Sequence, residues 1–165
     1  MLYKLTYLSP AKINLFLHVI SKRSDGYHNL QTIFQLLDYG DEINFTYRKD
    51  GQINRNYGNE DIPMNNDLII RSANTLKQIS GTKEGVDIGI IKKIPIGGGL
   101  GGGSSNAAST LLALNKLWKL NYSKSKLIKI GQDLGSDIPV FINGFSSWAE
   151  GTGELLTPIN LPKYF

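Results

Sequence analysis

The chain has 165 residues, a net charge of +4 and no cysteine. That length suits one domain with a proper core, and the missing cysteines exclude disulfides, zinc–thiolate sites and a cysteine nucleophile. The mild positive charge suits a binder of phosphorylated small molecules and is not the clustered signature of a nucleic-acid protein.

No apolar run is long enough to span a bilayer. Lys12, Asn14 and His18 interrupt the apolar N-terminal stretch, and no small-residue cleavage site follows it, so a cytoplasmic protein is expected. Leu2 to Leu8 reads as a first strand, ended by Ser9-Pro10, and Ala11 to Ile20 as a second. In the second, Ile13, Leu15, Leu17 and Val19 alternate onto one face, with Lys12, Asn14, Phe16 and His18 on the other. The polar side reads either as the lining of a site or as an ordinary solvated sheet face.

Ser21 to Asn29 is a turn-rich loop centred on Asp25-Gly26, and it carries Tyr27 and His28. Those two rings fit a hairpin tip folded onto the sheet, or a platform for a base or sugar. Strands are expected over Gln31–Leu37 and Asp41–Arg48, with a turn at Asp50-Gly51 and a short strand over Gln52–Arg55. A polar loop should then run to Asn66. Asp67 is placed to cap a helix over Leu68–Ser80 that buries Ile69, Ala73, Leu76 and Ile79 or close neighbours, and Gly81 should end it.

Val86, Ile88 and Ile90 mark a strand that leads, through Lys92 and Lys93, to Pro95 and a glycine-rich loop, Ile96-Gly97-Gly98-Gly99-Leu100-Gly101-Gly102-Gly103-Ser104-Ser105. The two lysines read as a solvated strand end or as partners of a bound phosphate. Glycines let main-chain N–H groups turn inward without Cβ clashes. The helix expected over Ala107–Leu120, capped by Ser104 or Ser105, adds unpaired N–H groups and a partial positive charge. Strand, glycine loop and helix together make an anion cradle. The spacing lacks the acidic residue that a dinucleotide fold wants and the Gly-Lys-Ser/Thr of a Walker loop. A surface linker is the other reading, but linkers rarely join a strong strand to a strong helix. A helix over Ser123–Leu134 should stop at Gly135. Asp137 is placed to cap a short helix with Pro139 in its first turn. Trp148–Gly153 reads as a turn between short strands, and Glu154–Ile159 as a return to the sheet.

SPAKINLFLHV, RSDGYH, IPIGGGLGGGSSNAA, LGSDIPVF and AEGTGE, in that order, resemble the small-molecule kinase superfamily of galactokinase, homoserine kinase, mevalonate kinase and phosphomevalonate kinase. The pairing of SPAKINLFL with DGYH is similar to the member of the non-mevalonate isoprenoid route that acts on a cytidyl substrate. The resemblance implies an α+β fold: a mixed, largely antiparallel sheet with helices on one face, like domain 2 of ribosomal protein S5. It implies transfer of the γ-phosphoryl group of ATP, with Mg²⁺, to a tertiary 2-hydroxyl.

Position by position, the resemblance implies that Lys12 and Asp137 are the catalytic pair and that Asn14 contacts the substrate. Tyr27 and His28 would hold the cytosine. Pro95, Ile96, Gly97, Gly98, Gly99, Leu100, Gly101, Gly102, Gly103, Ser104 and Ser105 would form the ATP phosphate loop. Lys92, with the residues near Asp67 and Leu68, falls where the family holds adenine. The family commonly has Asn at position 67, and Asp67 puts that contact in question. No metal-ligating side chain, nucleic acid or membrane is implied. Residues 1–165 would then be the N-terminal, ATP-binding domain, with the family's C-terminal domain as its packing partner and little activity in its absence. Two other readings are another kinase of the superfamily and a nucleotide-binding module without catalysis.

Overall fold

The computed structural model describes residues 3–161. Its elements in chain order are β1 (Lys4–Lys22), β2 (His28–Arg48), β3 (Ile53–Tyr57), α1 (Leu68–Ser80), β4 (Gly85–Ile91), α2 (Gly102–Leu117), α3 (Lys124–Leu134), α4 (Ile138–Asn143), β5 (Ser147–Glu150) and β6 (Leu155–Pro158). The sheet runs β3-β4-β2-β5-β6, with β1 paired along β2. Only β3 and β4 are parallel, so the sheet is mixed and largely antiparallel, as expected. None of the described helices is long and apolar enough to cross a membrane.

The register sorts the two faces. Phe45 opposes Ile88 and Ile43 opposes Ile90, and all four are buried. Against them lie Ile69, Ala73 and Leu76 of α1 and Ala107, Ala108, Leu111 and Leu114 of α2. Polar or small residues alternate onto the reverse face: Glu42, Asn44, Thr46, Asp87 and Gly89. Helix α2 is the centre of the helical layer, touching α1, α4, β1 and β2.

Three sequence expectations are corrected. First, the strands expected to end at Ser9-Pro10 and at Leu37 run on as the long β1 and β2. Pro10 is tolerated because β1 lies at the sheet edge and a register shift follows directly, where no ladder hydrogen bond is needed from it. Second, the two faces of β1 are exchanged: Leu15, Leu17 and Val19 are about half exposed, whereas Lys12 is buried. Further shifts at Asn14/Leu17 and Val19/Ser21 break the strict alternation on which the assignment rested. Third, α2 starts at Gly102, so Ser104 and Ser105 lie inside its first turns and cap nothing. Gly101, at φ 72°, turns the chain into the helix instead. A Cβ on Gly102 would stand 3.0 Å from an Ile94 methyl group, so the helix start lies close against the strand end.

Helix α1 spans the expected residues, from Asp67 to left-handed Gly81. Ile70 is buried in place of Ile79, which is exposed. Asp67 is 2% exposed and fully used: Oδ1 accepts from Ile69 N at 2.9 Å, and Oδ2 accepts from Arg55 at 2.7 Å and Asn59 at 3.3 Å. Asp67→Ala therefore removes a cap and strands a largely buried guanidinium. It should cost about 3–5 kcal/mol in urea unfolding.

Candidate active site

Five segments meet at a cleft of about 470 Å³. One wall is the glycine loop, Pro95 through Ser104; the others carry Lys12 of β1, Lys92 at the end of β4, Asp137 before α4, and Asn59, Ile62 and Leu68 near the start of α1. The main chain ties the first two together, since Lys12 N–H donates to Leu100 O at 2.9 Å.

Lys12 is 6% exposed. Its Nζ donates to Asn14 Oδ1 at 2.7 Å, stands 3.3 Å from Asp137 Oδ2, and lies 5.3 Å from the centre of the Phe34 ring. Asn14 is oriented in turn. Its Nδ2 donates to Thr32 Oγ1 at 2.8 Å, and that hydroxyl donates to Phe16 O at 2.6 Å. The amide of Asn14 thus presents its oxygen to the ammonium, and the ammonium cannot wander. Asp137 opens α4 but makes no side-chain capping bond. Its carboxylate turns to Lys12 instead, and its side chain keeps about a third of its surface open. An acceptor carboxylate beside a fixed cation can take a proton from a hydroxyl, or orient one, next to an anion held by the loop.

In the loop, Gly97, Gly99 and Gly101 all have positive φ. A Cβ on Gly97 or Gly99 would meet nothing within 4 Å, so the space above them is open. Ser105 N–H donates to Gly101 O, while the amides of Gly102, Gly103 and Ser104 precede the first intrahelical donor. Ser104 borders the cleft; Ser105 is wholly buried, its hydroxyl without a partner among the described residues. Open space, a run of glycine amides and a helix N-terminus fit a nucleotide triphosphate. Among the described residues no three His, Cys, Asp or Glu converge as a metal cage.

The remaining expected residues lie apart from this cleft. Tyr27 is at the β1–β2 hairpin tip and lines a second cleft of about 370 Å³ with Gly135 and Ser136, the residues just before Asp137. Arg23 and Asp25 brace the tip, and the hydrogen bond from Arg23 holds the Asp25 carboxyl below its ordinary value. His28 is exposed at the start of β2, opposite Lys22. Sequence reasoning missed Thr32, Asp41, Asn59 and Asn106. Asn59 and Asn106 border the cleft with buried carbonyl oxygens that have no partner among the described residues. Asn59 also holds a positive φ of 59°. The sequence gives one faint signal, that Asn106 closes the glycine stretch on the helix face below Gly102.

Residues 67–145 match the family model described as GHMP kinases N terminal domain. In that span the chain is similar to the N-terminal domain of GHMP kinases. It is 56% identical over 160 residues to a 4-diphosphocytidyl-2-C-methyl-D-erythritol kinase of Ruthia magnifica subsp. Calyptogena magnifica, covering 97% of this chain and 56% of that protein. A kinase of the same name from Pseudomonas aeruginosa (strain LESB58) is 49% identical over 160 residues, 97% of this chain and 57% of that one. The chain thus spans about half the length of the curated relatives it matches. A crystal structure of 4-(cytidine 5'-diphospho)-2C-methyl-D-erythritol kinase superposes with a TM-score of 0.83 at 37% identity, over 96% of this chain and 56% of the other. Homoserine kinase from Cytophaga hutchinsonii shares the fold alone, at a TM-score of 0.68 and 16% identity over 96% of this chain and 52% of the other.

Gly101 is the tightest point of the loop. A Cβ there would lie 2.7 Å from the Phe141 ring and 3.1 Å from Lys12 Cγ, in a left-handed backbone. Gly101→Ala should lose about 1–2 kcal/mol to the backbone and about 1–3 kcal/mol to overpacking, read as a lowered urea midpoint.

Proposed function

We propose that the chain is the ATP-binding, N-terminal domain of a kinase that moves the γ-phosphoryl group of ATP to the 2-hydroxyl of 4-diphosphocytidyl-2-C-methyl-D-erythritol, in the non-mevalonate route to isoprenoid precursors. The observation that carries this reading is the 3.3 Å pair of Lys12 and Asp137 at the mouth of the glycine cleft. Nucleotide binding alone needs no fixed cation–carboxylate pair beside the phosphates; transfer to a hydroxyl does. The names of the relatives supply the acceptor.

Phosphoryl transfer is chiefly a matter of positioning and charge stabilisation. In this reading the amides of the loop hold the phosphates, and the dipole of α2 adds about 0.3–1 kcal/mol, up to about 2 kcal/mol where partly buried. Mg²⁺ would neutralise charge on the phosphates, and Ser104 and Asp137, which line the cleft, would hold it or its waters. Lys12 pairs with Asp137 and faces the transferred group. Asp137 orients the acceptor hydroxyl and takes its proton. Asn14 fixes Lys12 and meets the substrate; Tyr27 and His28 at the hairpin tip take the cytosine by stacking and hydrogen bonding.

These residues taken alone should turn over little or no substrate. Tyr27 and His28 are both exposed, and the acceptor must be held as firmly as the nucleotide. Their packing partner would be the C-terminal domain of the family. Turnover by the 165-residue chain at an ordinary kinase rate would contradict this.

In the active kinase, Asp137→Ala should lower kcat about 10²–10⁴-fold with little change in ATP binding; unchanged turnover removes Asp137 from the chemistry. Tyr27→Ala should raise KM for the cytidyl substrate and leave KM for ATP alone. A change confined to ATP would make the base-pocket assignment wrong.

A further inference from the structure

Asp41 lies outside the cleft lining, yet it is 0% exposed and ionic. Its Oδ2 accepts from Lys92 Nζ at 2.6 Å, and its Oδ1 accepts the main-chain N–H groups of Lys93 and Ile94 at 2.7 and 2.8 Å. One carboxylate therefore grips three consecutive residues, the last before Pro95 and the glycine loop. It can do so because Asp41 opposes Ser9 on the helix-facing side of β2, two residues before buried Ile43.

The place where this grip holds Lys92 is informative. A Cβ on Gly102 would stand 3.2 Å from Lys92 Nζ, so the ammonium rests against the first residue of α2. That is the positive end of the helix, where the macrodipole opposes a cation. A solvated lysine would leave it. Here the side chain is about four-fifths covered and is tied by a buried acid. Burial of the acid is costly unless its charge is met, so ammonium and carboxylate hold each other in a position that neither helix nor solvent favours. What the position does gain is a positive charge beside the amides of Gly102 and Gly103, directed at the cleft.

We infer that Asp41 is a positioning residue for nucleotide binding: it holds Lys92 at the N-terminus of α2 so that its Nζ meets the phosphates of the bound triphosphate. The inference rests on the reading of the cleft as an ATP site. In the bound state Lys92 bridges Asp41 and a phosphoryl oxygen, using two of its three N–H groups. No other described carboxylate pairs with Lys92. The change Asp41→Asn keeps an acceptor for the two main-chain N–H groups and removes the charge, which separates support of the loop from support of the lysine.

The test is titration calorimetry of the chain with ATP and with inorganic tripolyphosphate, on wild type, Asp41→Asn, Lys92→Met and the double variant. The expected result is about a 10-fold loss for both ligands in each single variant, with no further loss in the double. Losses that multiply in the double variant would mean that Asp41 acts through the loop and not through Lys92. A loss for ATP alone would put the ammonium on the base. Either result, or wild-type affinity in Asp41→Asn, overturns the inference. Should Asp41→Asn fail to fold, Lys92→Met alone still decides it, because undiminished tripolyphosphate binding in that variant is fatal. Failure of the wild-type chain to bind either ligand would instead overturn the ATP reading, and this inference with it.

Discussion

Lys12 joins the parts of the chain that must act together. Its main chain holds the glycine loop through Leu100, and its ammonium reaches Asn14 on its own strand and Asp137 before α4. Without that junction the sheet, the loop and α4 would be three neighbours and not a site. Its cost is a nearly buried cation, offset by a carboxylate, an amide oxygen and an aromatic ring. Such an arrangement is weak evidence for stability, because apolar residues of similar volume often do as well in a buried position. It is better understood as a fixed charge kept for what it faces.

The same economy recurs around the cleft. Arg55 and Asp67 anchor the start of α1, Asp41 and Lys92 the approach to the loop, and Lys12 and Asp137 the mouth. In each pair at least one partner is almost fully buried. The charged pairs gather where strand ends, the loop and helix starts come together, while the core under α1 and α2 is mainly apolar, its buried polar groups uncharged ones such as Ser72, Ser109 and Thr110. A cavity meant for a polyanion needs cations whose positions do not depend on the ligand. Neutralising them with buried acids fixes the positions before the ligand arrives.

What could be read from sequence depended on how local its cause was. Helix α1 was legible to its ends because cap and stop, Asp67 and Gly81, lie beside it. The start of α2 was misplaced because Gly102 and Gly103 are poor helix formers, and the contacts of Gly102 with Ile94 and Lys92 are remote in kind from any local helix signal. The exposed and buried sides of β1 were exchanged because register shifts cannot be seen in an alternating pattern. Asp137 looked like a cap from its neighbours, and its real partner, Lys12, is remote along the chain. The motifs named Lys12, Asp137 and the loop. They could not name Asp41 or Thr32, whose partners are set by the pairing of β2 with its neighbours.

The central claim is that main-chain amides from Gly97 to Ser104, with Lys12 and Asp137 at their outer end, form a triphosphate site. Its most direct test is a titration of the ¹⁵N-labelled chain with ATP, followed by amide chemical shifts. The account predicts the largest changes at Gly97–Ser104 and Lys12, and small ones at the exposed residues of β1 such as Leu17 and Val19. Shifts concentrated elsewhere, with the glycine amides unmoved at saturating ATP, would contradict it.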